Sequence, residues 1–382
     1  MFFNGVYKKS DQEEYYMREI FKQKRNFILL CYPLGIICLI LAKTNRDIAE
    51  YVFARGIYRV YGWIMSHING IFPFSIGEIL FLLAALGLAA FPLITIVLVI
   101  KSKKKLVTLV SSLRHLLIIL GVVFLWFMIG AGTNYYRYEF STFSGLKIEK
   151  STVDELYALC KELAEKTNAA RADLGISDDE VFVSGLTNRE RAGEAKKAME
   201  KLALKYDVLD GYYPYAKSVF FSRGLSEFNI TGVYFPWTVE ANVNVDTVDY
   251  TKGETLCHEL SHLRGFMRED EANFIGYLAA VNSDCAELRY SGYMLALVCT
   301  GNKLYEADKD KYFEVRSTYC RGITLDFAQN AEYWKQFEDT VLSEAGEKMN
   351  DTYLKINSVE DGTKSYGRMV DLLLAEWRAN QK

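Results

Sequence analysis

The sequence predicts an α-helical membrane region of about three spans joined to a larger, mostly helical α+β domain. Three observations predict it. Long apolar runs without charge are confined to the first third of the chain. The composition turns to that of a soluble domain from about Gly145. A β-rich stretch between Gly211 and Val248 sits among helical patterns.

The chain has 382 residues, enough for more than one folded unit. Its net charge of -3 provides no overall basic field, so a nucleic-acid partner is not expected. Half of the residues are hydrophobic and 14% aromatic, a richness the apolar runs explain. The seven cysteines form no C-x-x-C pair and sit at wide spacing, which reads as small buried hydrophobes rather than a disulfide framework.

The apolar runs are 27–42, 79–100 and 115–136, and the last two are long enough to cross a bilayer as helices. The first is short and contains Pro33, so it is either a short span or the apolar core of a leader. Lys8, Lys9, Arg18, Lys22, Lys24 and Arg25 precede it, and Lys101, Lys103, Lys104, Lys105 and Arg114 crowd the loop after the second run. Basic flanks stay in the cytoplasm, so everything after Tyr136 is expected outside. Between the first two runs, I-A-E-Y-V-F-A-R-G-I-Y-R-V-Y-G-W-I-M reads as an amphipathic helix, lying either in the membrane interface or against the rest of the protein. Trp126, Tyr135, Tyr136 and Tyr138 suit the outer boundary of the third run. The chain thus divides into a membrane domain, 1–144, and an extracytoplasmic domain, 145–382.

In the second domain helical patterning covers Val153 to Lys166 and Arg189 to Lys205. It returns from Glu254 to the end, with turn-like breaks at Thr300 to Lys303 and at Asp361 to Gly362. The run E-A-N-V-N-V-D, Glu240 to Asp246, alternates as a strand does.

Chemistry is concentrated in C-H-E-L-S-H-L-R-G-F-M-R-E-D-E-A-N. H-E-x-x-H on a helix turns His258 and His262 toward one tetrahedral cation, Zn2+ being the best match. Glu259 stands beside the metal, where a carboxylate can take the proton of a polarised water. Two of the chain's four histidines fall in this motif. An acid must complete the set. Glu269 and Asn273 lie one turn apart on one helix face, which makes Glu269 the third ligand and Asn273 a support for a histidine ring; Glu271 is the alternative. Arg268 stands where a third histidine would have to be, and a guanidinium cannot bind zinc. Cys257 points away from the pair.

The segment Gly232 to Leu278, with N-D-T-Y-L-K at Asn350 to Lys355 and S-Y-G-R-M-V-D-L-L at Ser365 to Leu373, resembles a bacterial family of membrane proteins catalogued as domain of unknown function 3810. The resemblance covers most of the chain and implies a zincin-like architecture without an assigned substrate. E-x-x-A-N, Glu269 to Asn273, is also similar to the second motif of gluzincin peptidases, which favours Glu269. The gap between His262 and Glu269 is shorter than thermolysin-like enzymes use.

Zincin folds place a rim strand beside the metal helix to hold an extended substrate, and E-A-N-V-N-V-D is the candidate, with Asn242 and Asn244 on one face; a plain core strand is the alternative. Tyr366 is a candidate donor to a developing oxyanion, or a packed core tyrosine. The expectation is a membrane-anchored, zinc-dependent metallohydrolase of the HExxH type, a peptidase acting on a peptide or protein near the lipid bilayer. The alternative is a zincin-fold sensor or peptide-binding scaffold without turnover.

Overall fold

The computed structural model describes residues 9–356 and 366–381. The protein is mostly helical with one small sheet. At the N-terminus, helix α1 (Lys9–Lys22) leads through a 3-10 stretch, Lys24–Leu30, into α2 (Cys31–Thr44). A π-helical stretch, Ile48–Tyr58, continues into α3 (Arg59–Gly70), followed by α4 (Ile76–Lys101) and α5 (Lys105–Gly130). Among the described residues three stretches are helical, long and apolar enough to cross a membrane: Lys24–Thr44, Ile76–Lys101 and Lys105–Gly130. Protein covers only 6% of the apolar window of α4, and Leu80, Phe81, Leu86 and Leu93 stand exposed along it. So much contiguous apolar surface is compatible with a lipid surround and not with water. Where α2 meets α5, Gly35 lies under the ring of Phe124 and Gly121 under that of Tyr32. A Cβ there would come within 2.5 and 2.8 Å of those rings, so small residues set the close approach.

The third apolar helix differs from the expected 115–136. It begins earlier, because Arg114 is buried in it and donates to the Ile20 carbonyl at 3.0 Å and to Gln23 Oε1 at 2.7 Å. It also ends earlier, because Ala131 leaves helical geometry (φ -155°, ψ -45°) and Gly132–Tyr136 forms a 3-10 turn. Tyr135 is therefore buried rather than placed at the boundary, and the Tyr138 hydroxyl donates to Asp47 Oδ1 at 2.9 Å.

The stretch between the first two apolar helices has two faces. Ala49, Glu50, Phe53, Ala54, Tyr58, Gly62, Ser66 and Asn69 are buried against the protein. Val52, Val60, Trp63, Ile64 and Ile68 are exposed. On the buried face, Glu50 accepts from Arg137 at 2.8 and 3.0 Å, and Arg137 also donates to the Arg264 carbonyl at 2.7 Å.

The rest of the chain builds the larger domain. Helices α6 (Phe140–Ser144), α7 (Val153–Ala172) and α8 (Asn188–Ala203) come first. Thr152 and Thr187 open α7 and α8 with reciprocal capping boxes to Glu155 and Glu190, the T-x-x-E signal of a helix start. Then follow β1 (Lys217–Ser218), α9 (Ser222–Glu227), β2 (Gly232–Phe235) and β3 (Glu240–Val243). The remaining helices are α10 (Asp249–His262), α11 (Glu269–Val281), α12 (Ala286–Ala307), α13 (Lys309–Arg316), α14 (Arg321–Lys335), α15 (Val341–Ile356) and α16 (Tyr366–Asn380). The core is one apolar cluster in which Leu163, Met199, Leu260, Phe274, Leu297 and Leu373 join α7, α8, α10, α11, α12 and α16. The expected turn at Thr300 to Lys303 is instead the interior of α12, where Thr300 satisfies its hydroxyl on the Ala296 carbonyl at 2.8 Å. Asp361 and Gly362 lie outside the described residues.

The sheet has the order β1-β3-β2, with β1 parallel and β2 antiparallel to β3. The strand expected at the rim, Glu240–Val243, is thus the central one. Its alternation is real, but hydrogen bonds occupy both its edges, and the edge beside α10 belongs to β2.

Candidate metal centre

Helix α10 runs through the core, and every residue from Thr255 to His262 is buried. It ends because Gly265 adopts a left-handed conformation (φ 81°) and its N–H bonds the His262 carbonyl at 2.9 Å, which reverses the chain toward α11. Helix α11 then lies directly on α10. At Gly276 a Cβ would fall 2.9 Å from the backbone nitrogen of His258, so only glycine permits this approach. These two constraints carry Glu269, in the first turn of α11, to the histidine face of α10.

His258, His262 and Glu269 offer ligand atoms that all lie within 4.8 Å of one another. The Nε2 atoms of the two histidines are 3.1 Å apart, and Glu269 oxygens stand 3.2 Å from His258 Nε2 and 3.9 Å from His262 Nε2. The far nitrogens are engaged: His262 Nδ1 faces the Phe266 carbonyl at 2.7 Å and His258 Nδ1 faces Asn273 Oδ1 at 2.7 Å. A carbonyl only accepts, so each ring keeps its proton on Nδ1 and directs the Nε2 lone pair inward. Two lone pairs and a carboxylate then converge on one point, an arrangement that needs a positive centre. Two imidazoles and one carboxylate, with ring orientations fixed from behind, fit a divalent cation such as zinc.

The proton affinities follow the same geometry. Where no cation shares the site, His258 carries a second proton, on Nε2, which a cation would displace: burial lowers its pKa, but the hydrogen bond of that proton to Glu269 and the charges of Glu269, Glu259 and Glu254 outweigh this and bring it up to about 9. Burial holds His262 down to about 4 against the pull of Glu269. Burial would raise Glu269, yet its hydrogen bond with His258 and the charges of both histidines keep it below the usual carboxylate range. Glu259 is pushed up to about 8 by burial, with Glu269 and Glu254 adding and His258 opposing. Its Oε2 is buried without a hydrogen-bond partner among the described residues. Without a cation that burial favours the protonated acid; the charge of a cation held by the three converging ligands would favour the carboxylate, whose open oxygen is then placed to receive a proton from whatever enters the site.

Glu271, the alternative ligand, is occupied elsewhere. Its carboxylate accepts from the backbone N–H of Phe140 at 2.6 Å and from Arg268 at 2.9 and 3.0 Å. Asn242 and Asn244 do not face the site. Both are fully buried; Asn242 Nδ2 donates to the Val233 and Glu240 carbonyls, and Asn244 Nδ2 to Ser226 Oγ and the Ile230 carbonyl. They brace the sheet from within. Tyr366 opens α16, and its side chain lies outside the described residues.

Sequence reasoning missed four contributors. Gly232 of β2 lies against Glu259: a Cβ there would be 2.4 Å from its Oε1. Tyr234 packs its ring 5.7 Å from that of His262, and its hydroxyl meets that of Tyr58 at 2.9 Å. Tyr58 in turn donates to the His262 carbonyl at 2.9 Å. Nothing local marks these residues, since each acts across the fold. Glu254 did leave a signal, one helical turn before His258 on the same stripe.

The family described as Protein of unknown function (DUF3810) matches residues 53–374. The chain belongs to this family. The DUF3810 match begins before Tyr58 and ends within α16, so a single family unit includes both the helix that holds the His262 carbonyl and the histidine itself. No curated protein and no solved structure matches the chain.

Proposed function

We propose that this protein is a membrane-anchored, zinc-dependent metallohydrolase of the peptidase type, with its three apolar helices spanning the bilayer and its larger domain outside the cytoplasm. The basic residues before α2 and between α4 and α5 support that orientation. One observation carries the catalytic reading: the two Nε2 atoms and Glu269 converge next to a buried carboxylate oxygen of Glu259 that has no hydrogen-bond partner among the described residues.

His258, His262 and Glu269 would hold the cation, with Asn273 and the Phe266 carbonyl fixing the rings. When bound, the cation supplies Lewis acidity, polarising a peptide carbonyl and making a nearby water more acidic. Glu259 takes the proton from that water at Oε2 as the oxygen adds to the carbonyl carbon. It returns the proton to the amide nitrogen as the C–N bond breaks.

Strand β2 supports a peptide as the substrate. Asn244 N–H bonds the Thr231 carbonyl at 2.9 Å, and the register pairs Val233 with Asn242 and Phe235 with Glu240. Odd positions therefore face β3, and Gly232 and Tyr234 turn their N–H and C=O groups to the other edge, which no strand pairs among the described residues and which can take an added strand. A non-catalytic scaffold would use that edge too, but has no need of an open, buried base.

The test is metal content of the full-length protein in detergent. About one zinc per chain is expected in the wild type and in Glu259→Gln, and none in the His258→Ala/His262→Ala double variant. Turnover should vanish in Glu259→Gln alone among metal-loaded forms. A folded wild type that takes up no metal when zinc is supplied would overturn the reading.

A further inference from the structure

The sheet edge beside the site reaches down to the ends of the apolar helices α4 and α5. Strand β2 starts at Gly232, against Glu259, and ends at Phe235, whose ring would meet a Cβ on Gly77, in the first turn of α4, at 2.5 Å and sits 6.3 Å from the ring of Phe81. Four residues of strand span about 10 Å, so the base and the end of an apolar helix are that close. The turn beyond β2 goes deeper. Trp237 Nε1 donates to the Val123 carbonyl at 3.1 Å, and Tyr61 binds the Pro236 and Trp237 carbonyls at 3.0 and 2.6 Å. Val123 precedes the end of α5 by two turns, which puts the Trp237 indole about 10 Å inside the apolar helix. Tyr234, in contact with His262, also donates to the carbonyl of Gly130, the last residue of α5, at 3.2 Å.

A second, separate feature marks the same level. Glu78 in the first turn of α4 accepts the backbone N–H groups of Phe220 and Phe221 at 2.9 and 2.7 Å. That pins a loop whose Phe220 is 96% exposed and Phe221 57%, and Ile71 and Phe74, a few residues before Glu78 in the chain, are exposed as well. An apolar collar of this kind around the start of a span suits the membrane interface.

We propose that the substrate is a membrane protein cleaved just outside its span, its extended juxtamembrane segment pairing with the free edge of β2 at Gly232 and Tyr234. This rests on the hydrolase reading above and adds the substrate class. A segment leaving the bilayer beside α4 or α5 enters the β2 edge at its membrane end and reaches Glu259 within a few residues. A soluble chain has to find the same edge without that tether.

The test uses the full-length Glu259→Gln protein in phosphatidylcholine vesicles, with a photo-crosslinking residue in place of exposed Thr231, next to Gly232. The probe is a synthetic polypeptide with an apolar helix of about 20 residues and a polar tail of about 30, long enough to sample well beyond the site. Crosslinks should fall within roughly the first ten tail residues after the span. They should exceed those to the same tail free in solution by about tenfold or more, the gain expected from tethering. Crosslinks spread along the tail, equal capture of the free tail, or no capture of either would overturn the proposal. Junction crosslinks without cleavage by the zinc-loaded wild type would leave the docking site standing and remove the hydrolase reading.

Discussion

The hydroxyl of Tyr58, in the helix linking the first two apolar segments, donates to the backbone carbonyl of His262, 2.9 Å away in the other half of the chain. Tyr58 is buried, and burial pushes its hydroxyl up to about 12, so it acts as a neutral donor. The end of α10 is therefore held by the part of the chain that carries the apolar helices. Tyr58→Phe takes one hydrogen bond from this carbonyl, which keeps the Gly265 N–H, and one from the Tyr234 hydroxyl, which keeps the Gly130 carbonyl, at a cost of about 0.5–1.5 kcal/mol. Zinc affinity of the full-length variant is expected to fall about tenfold, read by competition with a chelator. Unchanged affinity and melting temperature would show that this bond does not position the histidines.

The neighbouring acids should separate cleanly. Glu269→Gln removes a ligand charge and should abolish tight zinc binding while the domain still melts cooperatively. Glu271→Gln should keep its zinc but lower stability by about 1–3 kcal/mol, because Arg268 and the Phe140 N–H lose their charged acceptor. The reverse pattern would reassign the third ligand.

Gly232→Ala places a methyl where Glu259 Oε1 now lies, 2.4 Å from the new carbon. We expect turnover to drop by about a hundredfold or more, the scale seen when a catalytic group is misplaced by about 1 Å, with zinc content unchanged. Retained activity would mean that Glu259 has room to move and still serve as base.

Acidification should loosen the last helix before it reaches the core. Glu155 of α7 is held down at about 2, chiefly by its hydrogen bond with Arg378 of α16 and by the Thr152 N–H. Its unfolded value is near 4.3, so the folded state prefers the ionised form. That contribution is complete above about pH 5 and is lost as pH falls from about 4.3 toward 2. Glu155→Gln should melt lower than wild type at pH 7, with the gap shrinking across that window. A gap independent of pH would show that the ion pair is not its source.

The motif helix was legible because H-E-x-x-H has a fixed helical meaning, and Glu269 with Asn273 because i, i+4 spacing places them on one face. The starts of α7 and α8 were legible through T-x-x-E. The sheet was not. Alternation in E-A-N-V-N-V-D marks a strand, yet a period of two cannot say whether that strand is central or at the edge, and β2, with no such alternation to mark it, took the edge. The third apolar helix was misjudged because Arg114 reads as a boundary until its partners in Ile20 and Gln23 are known.

By itself the sequence determined the local matters: which stretches are apolar enough to span, where helices begin, and which residue types could bind a cation. Those depend on hydropathy, capping and periodicity over a few neighbouring residues. Only the tertiary structure decided that Glu269 rather than Glu271 meets the histidines, that Asn242 and Asn244 are internal braces, and that the site rests on the ends of the apolar helices through Tyr58, Tyr234 and Trp237. Each of these depends on backbone approach between distant segments, set by Gly276 against His258 and by a hairpin packed between α3 and α5, and no local pattern encodes it.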